Sequence, residues 1–178
     1  KSKIYLLSNL LKKNKIDFQF ISSSENTAWL LNLRGADCEF APIPNSYSII
    51  DSQQNIYLFC DLKKIDSNLK KKLGIKVKIV NINHIDKFIL NFKNKIFQID
   101  RASCSIFFKN LIKKNNKVIE KHDPIYHLKA IKNKTEIKNT IKTHIYDGAA
   151  LTKFLFWLNN NFKKKKITEI DAQNKLLK

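Results

Sequence analysis

The segment from Ala28 to Asp37 reads AWLLNLRGAD and joins a short apolar helix to a sharp turn. Ser24 lies just before it and can accept a backbone N–H, so it is predicted to cap the helix. The helix is expected to end near Gly35, because glycine tolerates backbone conformations that other residues avoid. Pro42 and Pro44 stiffen the loop that follows. The segment therefore predicts a helix, a turn and a rigid loop.

Short apolar runs alternate with helical patterns on both sides of this segment. Near the start of the chain, Ile4, Leu7 and Leu11 recur at helical spacing. Further on, Asp66 can cap a helix that stops at Gly74. The alternation predicts an α/β fold in which helices pack on a mixed sheet. The remaining predicted helices are Ile85–Phe92 and Ser103–Ile112, and the predicted strands are Phe18–Ile21, Tyr47–Ile50, Ile56–Cys60, Val77–Val80, Ile96–Ile99 and Val118–Ile119.

The pattern changes after Asp123 and Pro124, where a domain boundary is predicted between residues 1–123 and 124–178. Apolar residues then recur every three, four or six positions from Ile137 to Leu158, as one face of a long helix requires. Gly148 inside that helix is expected to permit the close approach of a neighbouring element. A further helix is predicted to begin after a Thr168 cap and to run to Lys178.

The charge and the cysteine content limit the classes of function that the chain can have. The chain has 34 Lys and Arg against 15 Asp and Glu, a net charge of +19 that would suit a nucleic-acid partner. Only Arg34 and Arg101 are arginines, and the lysines spread along the whole chain, so a solvated lysine surface is favoured over a nucleic-acid site. No apolar run reaches the ~20 residues of a membrane span. The three cysteines have no zinc spacing and are predicted to be buried, reduced thiols.

Two ordered blocks carry a resemblance to a known enzyme family. The first is Ala28–Asp37 with Pro42 and Ser46–Ile50, which resembles the AWL-NLRG signature in the middle domain of three-domain Xaa-Pro aminopeptidases, the creatinase/prolidase-type aminopeptidases P. Ala41, Pro44 and Asn45 depart from the usual pattern of that loop. The second block resembles the linker and first two helices of the family's pita-bread catalytic domain. It comprises Asp123-Pro124, Leu128–Asn133, Glu136-Ile137, His144, Asp147–Leu151, Phe154–Leu158 and Thr168–Ala172.

The resemblance implies a fold and an activity. The fold would be a creatinase/prolidase N-terminal-like mixed sheet flanked by helices, followed by the start of a pita-bread domain. The activity would be metal-dependent removal of an N-terminal residue that precedes proline, with two divalent ions, manganese in most members. The family's ligands, two aspartates, a histidine and two glutamates, lie later in its sequence than Lys178. A chain that begins with Lys1 and lacks methionine is therefore expected to be a fragment that binds no metal and is inactive alone.

The resemblance also implies a cytoplasmic homodimer that acts on peptides with proline in second position. No catalytic or metal-binding residue is assigned within the chain. A different class of function stays open, in which the chain is a non-catalytic module for dimerisation or substrate gating. Nucleic-acid binding through the lysine excess is the third alternative, and it predicts affinity that falls steeply with salt.

Arg34 and Asp37 are the candidate site residues. They lie three positions apart around Gly35, so a tight turn could bring their charges together. The favoured interpretation is an ion pair that orders the loop, and the alternative is a direct contact with substrate at the edge of the cleft. His144 and Asp147 lie one helical turn apart, but two side chains are too few for a tight metal site.

Overall fold

A six-stranded mixed sheet forms the centre of the first part of the chain. The structure, a computed structural model, describes residues 2–164 and 166–177. The strand order is β4-β3-β2-β1-β5-β6, with antiparallel pairing of β1 with β2 and β2 with β3, and parallel pairing of the other neighbours. The strands are β1 (Phe18–Ile21), β2 (Tyr47–Asp51), β3 (Ile56–Cys60), β4 (Val77–Asn81), β5 (Ile96–Ile99) and β6 (Lys117–Glu120).

Helices cover both faces of the sheet, which confirms the predicted α/β architecture. On one face α4 and α5 pack over Phe20, Phe59 and Phe97, all fully buried. On the other face α1, α2 and α6 pack over Ile21 and Ile50. The helices are α1 (Lys3–Lys13), α2 (Ser24–Leu31), α3 (Ser67–Leu73), α4 (Ile85–Leu90), α5 (Ile106–Lys113) and α6 (Pro124–Ala130), with short 3-10 turns at Leu62–Lys64 and Ile82–His84.

Two predicted helix starts are wrong, the Ser24 cap of α2 and the start of α5 at Ser103. Helix α2 is preceded by Ser23, and the Ser24 hydroxyl donates instead to the carbonyl of Ser46 at 2.9 Å. Helix α5 begins at Ile106, where Ser105 accepts the N–H of Phe108. A serine before an apolar run therefore marks a helix start only to within a few residues.

The chain divides into two compact units, Lys1–Ala130 and Ile131–Lys178. Helix α6 belongs to the first unit, where Ile125 is fully buried. The domain boundary predicted at Pro124 remains a prediction.

The second unit contains the long helix that the periodicity predicts, α7 (Lys134–Asn161), followed by α8 (Glu169–Leu176). Reciprocal capping boxes start both helices, and that of α8 uses Thr168, as predicted. The predicted end of α8 at Lys178 lies outside the described residues. A Cβ added to Gly148 would meet no heavy atom within 4 Å in the described structure, so the close approach predicted there involves no described residue and stays a prediction.

Candidate functional site

The turn after α2 is closed by an asparagine and not by the predicted glycine. Asn32 adopts a left-handed conformation, with φ 54° and ψ 40°. The next residue, Leu33, is buried and its N–H donates to the carbonyl of Ala28 at 2.8 Å. This closure ends the helix at Leu31, four positions before Gly35, because an asparagine can adopt the left-handed conformation at modest cost.

Gly35 is required by a close approach. A Cβ at this position would lie 2.7 to 2.9 Å from three atoms of Pro44, two of them backbone atoms. The Gly35 N–H also donates to the carbonyl of Pro42 at 3.2 Å. The loop thus folds back on its own proline-rich continuation, and only a residue without a side chain fits the contact.

Asp37 holds the same loop through two partners, and neither of them is Arg34. Its carboxylate accepts the Asn45 N–H at 2.7 Å and forms an ion pair with Lys64. The Lys64 ammonium, helped by the Asn45 N–H, holds the pKa of the Asp37 carboxyl below its ordinary value. The Arg34 guanidinium donates to the carbonyl of Leu33 at 2.7 Å. The predicted Arg34–Asp37 ion pair is therefore wrong, since no such pair occurs within the described part of the chain.

A cavity of about 310 Å³ lies beneath this loop. Leu58, Ile65 and Leu69 supply an apolar lining, while Arg34 and Asp37 contribute polar groups. An apolar pocket with a few convergent polar groups is the usual form of a small-ligand site. The geometry therefore makes the Arg34–Asp37 loop and this cavity the candidate functional site, although a role at the substrate cleft remains a prediction.

Cys60 also lines this cavity and is buried. Burial raises the pKa of its thiol, so the reactive thiolate form is disfavoured. Cys104 is half-buried, and burial raises the pKa of its thiol to about 11. Only Cys60 is buried, so the prediction of three buried thiols is wrong at Cys38, which is exposed, and at Cys104, which is half-buried.

Sequence reasoning missed a buried polar cluster around Asp123. The Asp123 carboxylate accepts three hydrogen bonds, from the side-chain amides of Gln19 and Asn26 at 2.7 Å each and from the N–H of Ile125 at 2.9 Å. Asn26 in turn accepts from the ammonium of Lys129 at 2.8 Å. No local pattern marks this cluster, because its members are brought together only by the packing of α2 and α6 on β1.

A second buried carboxylate lies at the carboxyl end of β5. Asp100 is only 3% exposed, and one of its oxygens accepts the hydroxyl of Ser103 at 2.7 Å. Its other oxygen has no hydrogen-bond partner among the described residues. The ring nitrogen Nδ1 of His122 lies 3.7 Å from that oxygen, too far for a hydrogen bond.

The described residues do not fit the two-ion centre that the resemblance implies. Within residues 2–164 and 166–177, no group of three or more His, Cys, Asp or Glu side chains could hold a metal ion. In the same ranges, no helix is long and apolar enough to span a bilayer.

Comparison with known proteins agrees with this fold. Residues 1–136 match the Creatinase/Prolidase N-terminal domain family. Xaa-Pro aminopeptidase 1 of Dictyostelium discoideum is 33% identical over 87% of this chain and 25% of its own length. A probable Xaa-Pro aminopeptidase P of Paracoccidioides brasiliensis is 36% identical over 98% of this chain and 30% of its own length. The chain thus spans about a quarter to a third of these curated relatives.

A solved structure shows the same likeness. The X-prolyl aminopeptidase of Caenorhabditis elegans, described as a cytosolic enzyme with a di-nuclear active site, matches 98% of this chain and 29% of its own. The TM-score is 0.82 and the sequence identity 25%. Since the family match covers well over half of its residues, the chain belongs to the creatinase/prolidase N-terminal domain family.

Proposed function

We propose that the chain is a non-catalytic part of a metal-dependent aminopeptidase that removes an N-terminal residue preceding proline. The observation that carries the proposal is the likeness to the C. elegans X-prolyl aminopeptidase over 98% of the chain. The curated relatives with 33% and 36% identity also have Xaa-Pro aminopeptidase names. The substrates of the whole enzyme would be peptides with proline in second position.

In this proposal residues 1–123 are the middle domain and residues 124–178 open the pita-bread catalytic domain. The surface of α7 supports the second part. Ile141 and Ile145 are 58% and 65% exposed, on the face that periodicity predicts to be apolar. An apolar helix face of this kind normally packs against another element, which the rest of a catalytic domain would supply.

The two divalent ions, manganese by resemblance, would be held by later parts of the whole enzyme. The di-nuclear active site described for the C. elegans enzyme supports two ions. When bound, such a pair would supply Lewis-acid chemistry for the activation of water and of the scissile carbonyl. The contribution of this chain would be to shape and order the entrance to that site. A homodimeric, cytoplasmic enzyme is part of the same proposal.

The first test is an activity measurement on the chain itself. Purified chain with added manganese is expected to release no arginine from the peptide Arg-Pro-Pro, because residues 2–164 and 166–177 contain no group of three or more side chains that could hold the ions. The protein encoded by the whole gene, assayed in parallel, is expected to cleave the same peptide. Turnover by the 178-residue chain would overturn the non-catalytic assignment, and an inactive whole protein would overturn the peptidase assignment.

We also propose that Arg34 borders the substrate cleft of the whole enzyme. Its guanidinium uses one hydrogen bond on the Leu33 carbonyl and keeps further donors for a peptide carbonyl or carboxylate. In the whole enzyme, Arg34→Ala is expected to lower kcat/KM about tenfold on a longer Xaa-Pro peptide, through loss of one charge-assisted hydrogen bond. The thermal midpoint should stay unchanged.

The other arginine provides the matched control for this measurement. Arg101 is exposed, and Arg101→Ala removes the same charge at a position outside the loop. It is expected to leave kcat/KM unchanged. Normal kinetics for Arg34→Ala with normal stability would eliminate the substrate role.

A further inference from the structure

Five lysine side chains surround one groove at the edge of the sheet where β5 and β6 begin. The groove has a volume of about 710 Å³, and its lining includes Lys93, Lys95, Lys113, Lys114 and Lys117. All five residues are exposed. Within residues 2–164 and 166–177, none of the five forms an ion pair with a carboxylate. We call this surface the lysine groove.

Helix capping accounts for only part of this charge. Lys113 is the last residue of α5 and Lys114 follows it, so both can compensate the partial negative charge at the end of that helix. Lys93, Lys95 and Lys117 have no such explanation, because two of them precede β5 and the third begins β6. Three positive charges therefore line the groove without a role in helix capping. The Asp17 carboxylate lies at the same edge and accepts the Ile96 N–H at 2.7 Å, but among the described residues it forms no ion pair with these lysines.

Asparagine side chains fix the backbone of the lysine groove. Asn116 accepts the N–H of Lys95 at 3.1 Å and donates to the carbonyl of Phe92 at 3.0 Å. The N–H of Asn94 donates to the carbonyl of Asn115 at 2.8 Å. These bonds join the two loops that carry the lysines. The backbones that carry the lysines are thus fixed relative to each other before any ligand arrives, so that binding has to order only the lysine side chains.

Salt screening limits how many of these charges one ligand can reach. The groove is open to solvent, and its lysines are carried by two loops that hydrogen-bond to each other. Physiological salt screens a charge over ~8 Å, so a ligand that contacts both loops would interact with more than one ammonium group. Ile96 is the only apolar lining residue in the described part of the chain, so apolar side chains of a peptide would find little contact.

We propose that the lysine groove binds a small polyphosphate, a ligand with several phosphate groups linked in a short chain. Lysine binds phosphate as a point charge and needs no particular approach angle, which suits a flexible chain of phosphates. The volume lies in the range of small-molecule sites and is too small for a nucleic-acid duplex. The site is separate from the cavity beneath the Arg34–Asp37 loop and independent of the proposed peptidase activity.

Titration calorimetry with sodium tripolyphosphate tests this proposal on the whole chain. The triple variant Lys93→Gln, Lys95→Gln, Lys117→Gln is expected to weaken binding about tenfold or more, since three of the five charges are lost. The control is Lys70→Gln, Lys71→Gln, Lys72→Gln on α3, which has the same net charge. It should weaken binding less than about threefold, because it removes only long-range attraction that salt screens.

Equal weakening by the two triple variants would overturn the proposal, since net charge alone would then explain binding. Absence of tripolyphosphate binding at low salt would overturn it as well. A third contradictory result concerns a thymidine oligonucleotide. If it binds more tightly than tripolyphosphate, and with the same affinity to the groove variant as to the wild type, the positive charge would serve nucleic-acid binding outside the groove. Binding of ATP without magnesium distinguishes two results that both support the proposal. An affinity equal to that of tripolyphosphate would mean that the groove recognises only the phosphate chain. A higher affinity would mean that the groove also contacts the nucleoside.

Discussion

Asp123→Ala is expected to lower the free energy of unfolding by about 3–5 kcal/mol. The carboxylate is 2% exposed and accepts bonds from Gln19, Asn26 and the N–H of Ile125. Alanine would leave all three donors buried and unpaired, and it would open a small cavity. Urea unfolding at neutral pH measures the loss.

Two further variants define the cause of that loss. Asp123→Asn keeps the shape, but its amide group would face the donor of Asn26, so an intermediate loss of about 1–3 kcal/mol is expected. Asp147→Ala removes an exposed carboxylate from α7 and should change stability by less than ~0.5 kcal/mol. A loss below 1 kcal/mol for Asp123→Ala would show that the three donors find other partners.

The pH dependence of the same variants has a definite sign. Burial raises the pKa of Asp123, so the folded protein binds this proton more tightly than the unfolded chain. The contribution of Asp123 to stability is therefore largest in acid and falls as the pH rises from about 3.9, the unfolded value, through the higher folded pKa. The stability of the wild type relative to Asp123→Asn should fall over that interval. If the stability of the wild type relative to Asp123→Asn instead increased with pH, the three hydrogen bonds would lower the pKa of Asp123 by more than burial raises it.

Gly35→Ala is expected to destabilise the first unit by about 2–3 kcal/mol. The new Cβ would lie 2.7 to 2.9 Å from Pro44, whose backbone atoms cannot move aside as a flexible side chain could. Urea unfolding measures the loss, and it should accompany a disturbed cavity beneath the Arg34–Asp37 loop.

A second glycine provides a control of opposite sign. Gly148 lies inside α7, where an added Cβ meets no heavy atom within 4 Å in the described structure. Gly148→Ala should therefore stabilise the helix by up to about 1 kcal/mol through helix propensity. If Gly35→Ala stabilised the chain as Gly148→Ala does, backbone entropy would outweigh the contact with Pro44.

Periodicity predicts the helices and strands of this fold because their apolar residues face a core. Each predicted strand and the long α7 are present in the structure, and the family resemblance is confirmed. The errors fall at element ends. Ser24 is predicted as a cap and Ser103 as the first residue of a helix, but their hydroxyls bond to Ser46 and Asp100. Local sequence cannot show that competition.

The candidate site shows the same limit more strongly. Arg34 and Asp37 are close in sequence, and that closeness suggests a pair. The partner of Asp37 is Lys64, 27 positions away, which a short 3-10 turn places beside the loop. The Asp123 cluster is predicted by no pattern at all, because its bonds depend on how α2 and α6 meet over β1.

The bonds of Asp123 also have a consequence for biosynthesis. Gln19 and Asp123 are 104 positions apart, and Glu25 is equally far from its partner Lys129. At typical translation rates roughly 5–20 s separate the synthesis of the two ends. During that interval β1 and α2 have left the ribosome without the carboxylate that satisfies their amides. The nascent chain therefore completes this domain only after Asp123 and Lys129 have been synthesised. Until then the incomplete sheet is a substrate for chaperones that bind exposed strands.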